Sequence, residues 1–264
     1  MSKNFELLQS VGKEHEMLQA EAEIAAEPRP ARVYAAAIEE PVAEVSEPIA
    51  AGPSKFSPQE LDEVGKLVQR VFLLPGAEAP RSVVFTSVES GSGCSWMCAR
   101  AAEALARHSN ASVCVVDANL RNPGLHLHFD VDNPHGLAEA LSYSDSIRRF
   151  ARPLSQNLWL LSAGNPGENS QALIGADRIR LRLGELQSEF DFVLVDVACL
   201  GKANDALTLG SAAEGVVLVL KANSSRRETA RKAVQDLQAA KARVLGAVLN
   251  QRTFPIPQAI YEKL

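Results

Sequence analysis

The chain has 264 residues, 46% of them hydrophobic and 22% charged, with a formal net charge of −5. That balance fits a globular protein of one large or two small domains and excludes a uniformly basic nucleic-acid binder. No apolar run approaches the ~20 residues of a membrane-spanning helix, and four irregularly spaced cysteines (Cys94, Cys98, Cys114, Cys199) read as thiols of a reducing cytoplasm, not as a disulfide framework.

The first 24 residues carry Phe5, Leu8, Val11 and Leu18 at loose helical spacing. This predicts a short amphipathic helix over 1–24, too weakly apolar to be stable alone. The opening has no apolar core ahead of a small-residue cleavage site, so it does not read as a secretory signal. Over 25–56 the composition shifts to Pro, Ala, Glu and Ser, and six of the 14 prolines fall in 28–58. Such a stretch buries too little apolar surface to offset its ordering entropy and reads as a flexible linker. Acidity is concentrated here: residues 1–60 hold 11 acidic and 5 basic side chains, and the remaining 204 hold 21 and 22.

Residues 57–264 carry the globular signal. Ser57-Pro58-Gln59-Glu60 has the form of a helix N-terminus, followed by a face of Leu61, Val64, Leu67, Val68 and Val71. Short runs rich in Val and Leu then predict strands over 82–86, 112–117, 158–161, 192–196, 216–220 and 244–249. Amphipathic patterns predict helices over 95–107, 176–189, 203–212 and 226–240. Strands apolar on both parities belong to a sheet buried on both faces. Their alternation with helices predicts a doubly wound, mainly parallel α/β sheet.

In such a sheet ligands bind at the carboxyl ends of the strands. The first strand runs into Ser87-Val88-Glu89-Ser90-Gly91-Ser92-Gly93-Cys94-Ser95-Trp96, a Gly-rich turn opening a helix, which aims backbone N–H groups and the helix dipole at one spot suited to phosphate. Asp117 and Asp196 each close an apolar strand, the usual place for a carboxylate that holds Mg²⁺ directly or through water.

From about Ser57 onward the order of motifs resembles the bacterial tyrosine autokinases of capsule and exopolysaccharide synthesis, a branch of the MinD/ParA-like P-loop ATPases. Gly91, Gly93 and Ser95 match that family's phosphate loop, Asp117 and Arg121 its "apolar, Asp-x-Asp-x-Arg" strand, and Asp196 its third motif. Asn119 to His126, Gly136-Leu137, Leu161 to Gly164 and Val248-Leu249-Asn250 are similar to its continuation. The resemblance implies that Gly91, Ser92, Gly93, Cys94, Ser95 and Trp96 line an ATP or ADP site, that Asn250 meets the adenine, and that Ser95, Asp117 and Asp196 hold Mg²⁺. It also implies catalytic roles for Asp117 and Arg121, a membrane-embedded polysaccharide chain-length or export protein as partner, homo-oligomers, no nucleic acid, and a cytoplasmic chain held at the inner membrane through that partner.

The departures cluster at the reacting centre. The family's Gly-Lys-Ser/Thr is Gly93-Cys94-Ser95, its second Asp is Asn119, and its loop proline is Ser90. The lysine neutralises the β- and γ-phosphates and the charge that develops on transfer. Losing such a group costs about 10²-fold or more in rate. Three tyrosines, of which Tyr261 alone lies near the end, do not form a phosphorylated tail cluster. The oligomerising Glu-x-x-Arg-x-x-Arg pattern is poorly matched by Glu60 to Lys66. The reading is therefore a degenerate tyrosine-autokinase-like P-loop protein, a regulatory or scaffold component of exopolysaccharide export with weak or absent catalysis. Two alternatives stay open. One is an active autokinase using Arg121 or Lys202 as the missing cation, and the other is a ParA/MinD-like partitioning ATPase, against which the near-neutral globular part weighs.

Three further features have plain readings. Cys94, Cys98 and Cys199 read as small buried residues, with a soft-metal or redox cluster as the sharper alternative. His126 and His128 read as surface residues on an extended segment. The basic run from Arg226 to Lys232 reads as the solvated face of a helix.

Overall fold

Strand propensity and two-sided burial account for the sheet, which a computed structural model describes through residues 58–73, 79–165, 175–202 and 204–252. The expected helix over 1–24, the linker over 25–56 and Ser57 lie outside these residues. Seven strands form the sheet: β1 (Ser82–Ser87), β2 (Val113–Asp117), β3 (Arg152–Ser155), β4 (Leu158–Leu161), β5 (Phe192–Asp196), β6 (Gly215–Lys221) and β7 (Val244–Asn250), in the order β3-β4-β2-β5-β1-β6-β7. All neighbours are parallel except β3 and β4. The helices are α1 (Pro58–Val68), α2 (Cys94–His108), α3 (Leu137–Ser142), α4 (Ala176–Glu189), α5 (Asp205–Ala212) and α6 (Arg227–Ala239).

The two faces of the sheet bury separate cores. Val83 and Phe85 of β1, Val115 of β2 and Val217 of β6 pack with Val64, Val68 and Phe72 of the α1 region and with Met97, Ala101 and Leu105 of α2. Val84, Val116, Val193 and Val195 point the other way, against Leu137, Ile179, Leu183, Leu186 and Leu209. Successive side chains on a strand face opposite sides, so a strand covered on both sides shows no polar–apolar alternation.

Within the described residues the expected strands and helices are present, with ends moved by a residue or two. β3 was not expected from the sequence. Arg-Pro-Leu-Ser carries one buried apolar residue, Leu154, and lies at the sheet edge, where proline is tolerated. The segment at His126 and His128 is a 3₁₀ turn, Leu125–His128, and not extended; both histidines are half-buried. Among the described residues no helix is long and apolar enough to cross a membrane.

Candidate functional site

The parallel order puts β1 at the centre, between β5 and β6, so its loop meets the ends of β5, β6 and β7. The loop from Val88 to Gly93 turns through two left-handed glycines, Gly91 and Gly93, each at φ 77°. Gly93 immediately precedes α2 and its carbonyl accepts from Met97 N at 3.0 Å. A Cβ on Gly93 would lie 2.4 Å from Asn250 Nδ2, whereas one on Gly91 would meet open space.

Local hydrogen bonds fix the loop's shape. Ser87 Oγ and Ser92 Oγ both donate to Glu89 O, at 2.9 and 3.1 Å. The Glu89 carboxylate accepts from Ser225 Oγ at 2.6 Å, from the turn after β6. Ser90 Oγ lies 3.5 Å from Cys199 Sγ, after β5. At the end of β7, Asn250 Nδ2 donates to Ser92 O at 2.9 Å and Gln251 Nε2 donates to Gly91 O at 3.1 Å.

Beside the loop stand the two expected carboxylates. Asp117 and Asp196 are register partners at the carboxyl ends of the adjacent strands β2 and β5, both almost wholly buried. Asp117 is satisfied by backbone: Oδ1 accepts from Asn119 N at 3.1 Å, and Oδ2 from Gly124 N at 3.0 Å and Leu125 N at 2.9 Å. Burial raises its pKa while those three N–H groups pull it down. Asp196 is different, since no backbone N–H reaches its oxygens and its polar neighbours are the side chains of Ser95 and Cys94 at the start of α2. Burial, reinforced by the Asp117 charge, pushes its pKa up to about 7, with Ser95 and Cys94 on α2 pulling it back in part.

Cys94 opens α2, where the family pattern requires lysine. Burial and then the Asp196 charge hold its thiol well above the ordinary range, so it is a neutral S–H at pH 7. Burial does the same to Cys98. All four cysteines are free thiols, and no group of three His, Cys, Asp or Glu among the described residues is arranged to hold a metal. Cys98 and Cys199 are buried, as the plain reading expects, and Cys94 is partly buried. Trp96 is partly buried against the core that α2 shares with β1.

Arg121 Nε lies 3.6 Å from Asp205 Oδ2, at the start of α5. Lys202 is exposed on the turn after β5. The basic residues Arg226, Arg227, Arg231 and Lys232 are exposed while Ala233 and Leu237 of the same helix are buried, the solvated face expected. Sequence reading did not single out Glu89 or Gln251 as loop contacts, nor Ser225. Each is an ordinary polar residue whose partner lies far along the chain, and no local pattern marks it.

The arrangement fits a phosphate ligand and its cation in part. A left-handed glycine with no room for a Cβ opens the helix, and a buried carboxylate that no backbone N–H reaches stands beside a serine at the helix start. The loop has no cation of its own at the lysine position.

Residues 81–240 match the family described as "Cellulose biosynthesis protein BcsQ", a span that starts just before β1 and ends just after α6. The tyrosine-protein kinase YwqD of Bacillus subtilis is 30% identical over 171 residues, covering 64% of this chain and 72% of that protein. Among solved structures, the chimerical protein CapA2B2 superposes with a TM-score of 0.68 at 24% identity, over 75% of this chain and 87% of that one. The cell division ATPase MinD of Pyrococcus furiosus does so with a TM-score of 0.57 at 24% identity, over 70% and 79%. At those identities the two superpositions bear on the fold alone. The family match covers more than half of the chain and is joined by a 30% identical tyrosine kinase, so the chain belongs to the BcsQ family and is a relative of the bacterial tyrosine-protein kinases.

Proposed function

We propose that this chain is a regulatory or scaffold component of exopolysaccharide or capsule assembly, built on a nucleotide site whose phosphoryl-transfer chemistry is weak or absent. The observation that carries this reading is Cys94. A neutral thiol beside the Asp196 carboxylate stands where the family's lysine stands. It cannot neutralise a γ-phosphate, and a missing charge-stabilising donor costs about 10²-fold or more in rate.

The loop amides from Gly91 to Ser95 would hold the phosphates, Asn250 the adenine, and Ser95 and Asp196 the Mg²⁺, with Asp117 holding it through water. Bound Mg·ATP supplies the transferable phosphoryl group and the metal's positive charge. Asp117 keeps the β2 loop in register through its backbone bonds, whether or not nucleotide is present. The partner in this reading is the cytoplasmic segment of a membrane-embedded chain-length or export protein, which also holds the chain at the membrane, and copies of the chain associate with one another.

Phosphotyrosine in the full-length purified protein tests it. The reading expects none above background after incubation with Mg·ATP. Stoichiometric autophosphorylation would overturn it.

A second reading has one observation in its favour. Lys202 lies three residues past Cys199, whose sulfur is 3.5 Å from Ser90 of the loop, and its four-carbon stem could bring an ammonium to the phosphates. In that case turnover is present and is lost in Lys202→Ala.

A further inference from the structure

We infer that Asn250 and Gln251, at the end of the edge strand β7, are positioning residues that aim the amides of the phosphate loop, an inference that rests on the nucleotide-site reading above. The carbonyls of Gly91 and Ser92 are held from the β7 side by the two side-chain amides, at 3.1 and 2.9 Å. In a trans peptide the C=O and the following N–H point in opposite directions. Fixing the Gly91 and Ser92 carbonyls toward β7 therefore fixes the N–H groups of Ser92 and Gly93 on the opposite side of the loop. Those are two of the donors a bound phosphate would use.

Four details say the contact is built in. Gly93 is without a side chain where a Cβ would strike Asn250 Nδ2 at 2.4 Å, so loop and clamp approach as closely as backbone permits. Asn250 is itself anchored, its carbonyl accepting from Ala222 N at 2.8 Å. Gln251 sits at φ 57°, a left-handed conformation that is strained for a residue with a Cβ. In that conformation its side-chain amide donates to the loop. Finally, Ser225 holds Glu89 at the other end of the loop, and its Oγ accepts from Lys221 N at 2.9 Å. The ends of β6 and β7 thus brace the phosphate loop at residues 89, 91 and 92.

The test separates action on the phosphate end from recognition of a base. Full-length wild type and its Cys94→Lys form are titrated with Mg·pyrophosphate, which has no base, and with Mg·ADP, each with and without Asn250→Ala or Gln251→Ala. The inference expects each alanine to weaken pyrophosphate binding roughly three- to tenfold, the range of one lost hydrogen bond. Unchanged pyrophosphate affinity, or a loss confined to ADP, overturns it. A second readout needs no ligand: amide hydrogen exchange over residues 90–94 should accelerate by a similar factor in each variant, with thermal melting to show that the fold is retained. If neither ligand binds wild type or Cys94→Lys, the nucleotide-site reading fails, and the exchange data still decide this inference: unchanged exchange overturns it.

Discussion

Asp117 and Asp196 lie side by side in register on β2 and β5, equally buried, yet the Asp117 carboxylate accepts three backbone hydrogen bonds and the Asp196 carboxylate none. Two adjacent carboxylates in a dry setting cannot both ionise cheaply. The chain settles the conflict by giving the backbone donors to one and leaving the other protonated near neutrality, at a pKa of about 7.

Stability should carry the signature of that proton. An unfolded aspartate titrates near 3.8, and folded Asp196 near 7. Between those values the folded state binds more protons, so this group's contribution falls as pH rises from about 4 to 7 and is level above. The accumulated cost is on the order of a few kcal/mol. Asp196→Asn should therefore raise the melting temperature at pH 8 by several degrees, in chelator, and change it little at pH 4. Equal effects at the two pH values would show that Asp196 ionises normally.

Gly91 and Gly93 share one φ and should respond differently to alanine. Gly91→Ala meets only the left-handed backbone strain, about 1–2 kcal/mol. Gly93→Ala meets that strain and also Asn250 at 2.4 Å, and should lower the denaturation midpoint clearly more. Indistinguishable midpoints would mean that Asn250 moves aside freely.

Cys94, Cys98 and Cys114 should react slowly with disulfide reagents at pH 8. Burial pushes all three thiols up, Cys114 to about 12, which leaves little thiolate, the attacking form. Rapid labelling of Cys94 in the native protein, complete within the time that denatured protein needs, would contradict its position against Asp196.

Arg100 is a buried cation in α2, held by Glu103 at 2.9 Å and His128 O at 3.0 Å, with its guanidinium 5.9 Å from the Phe129 ring. Arg100→Ala leaves Glu103 only Arg107, at 3.1 Å, and the His128 carbonyl without its donor, and should cost about 1–3 kcal/mol in chemical denaturation. A change within 0.5 kcal/mol, the range of an ordinary surface substitution, would show the pair to be solvated.

Much of this architecture was legible in the residues themselves. Val83 to Phe85, Val193 to Val195 and Val216 to Val219 are β-branched or large, apolar on both parities, and bounded by polar turns, so a sheet covered on both faces was the natural solution. The strand-closing aspartates and the Gly91, Gly93 spacing located the site for the same local reason. What stayed hidden depends on contacts distant in sequence. Gln251 becomes a loop contact only because β7 ends beside residues 91 and 92, some 160 positions earlier. Ser225 meets Glu89 in the same way. Asp205 captures Arg121 across two turns that no periodicity relates. β3 escaped because four residues with one buried leucine carry no period, and the 3₁₀ turn at His126 because Asp117 organises it through Gly124 and Leu125 N–H groups.

On the function proposed above, Cys94 disables the site while the scaffold around it persists. Calorimetric titration of full-length wild type and Cys94→Lys with Mg·ATP, with hydrolysis followed in the same samples, tests it most directly. Millimolar or undetectable affinity and no turnover are expected in wild type, and micromolar affinity in the lysine variant, whose ammonium neutralises both Asp196 and the phosphates. Micromolar binding with turnover in wild type, unchanged by the substitution, would contradict it.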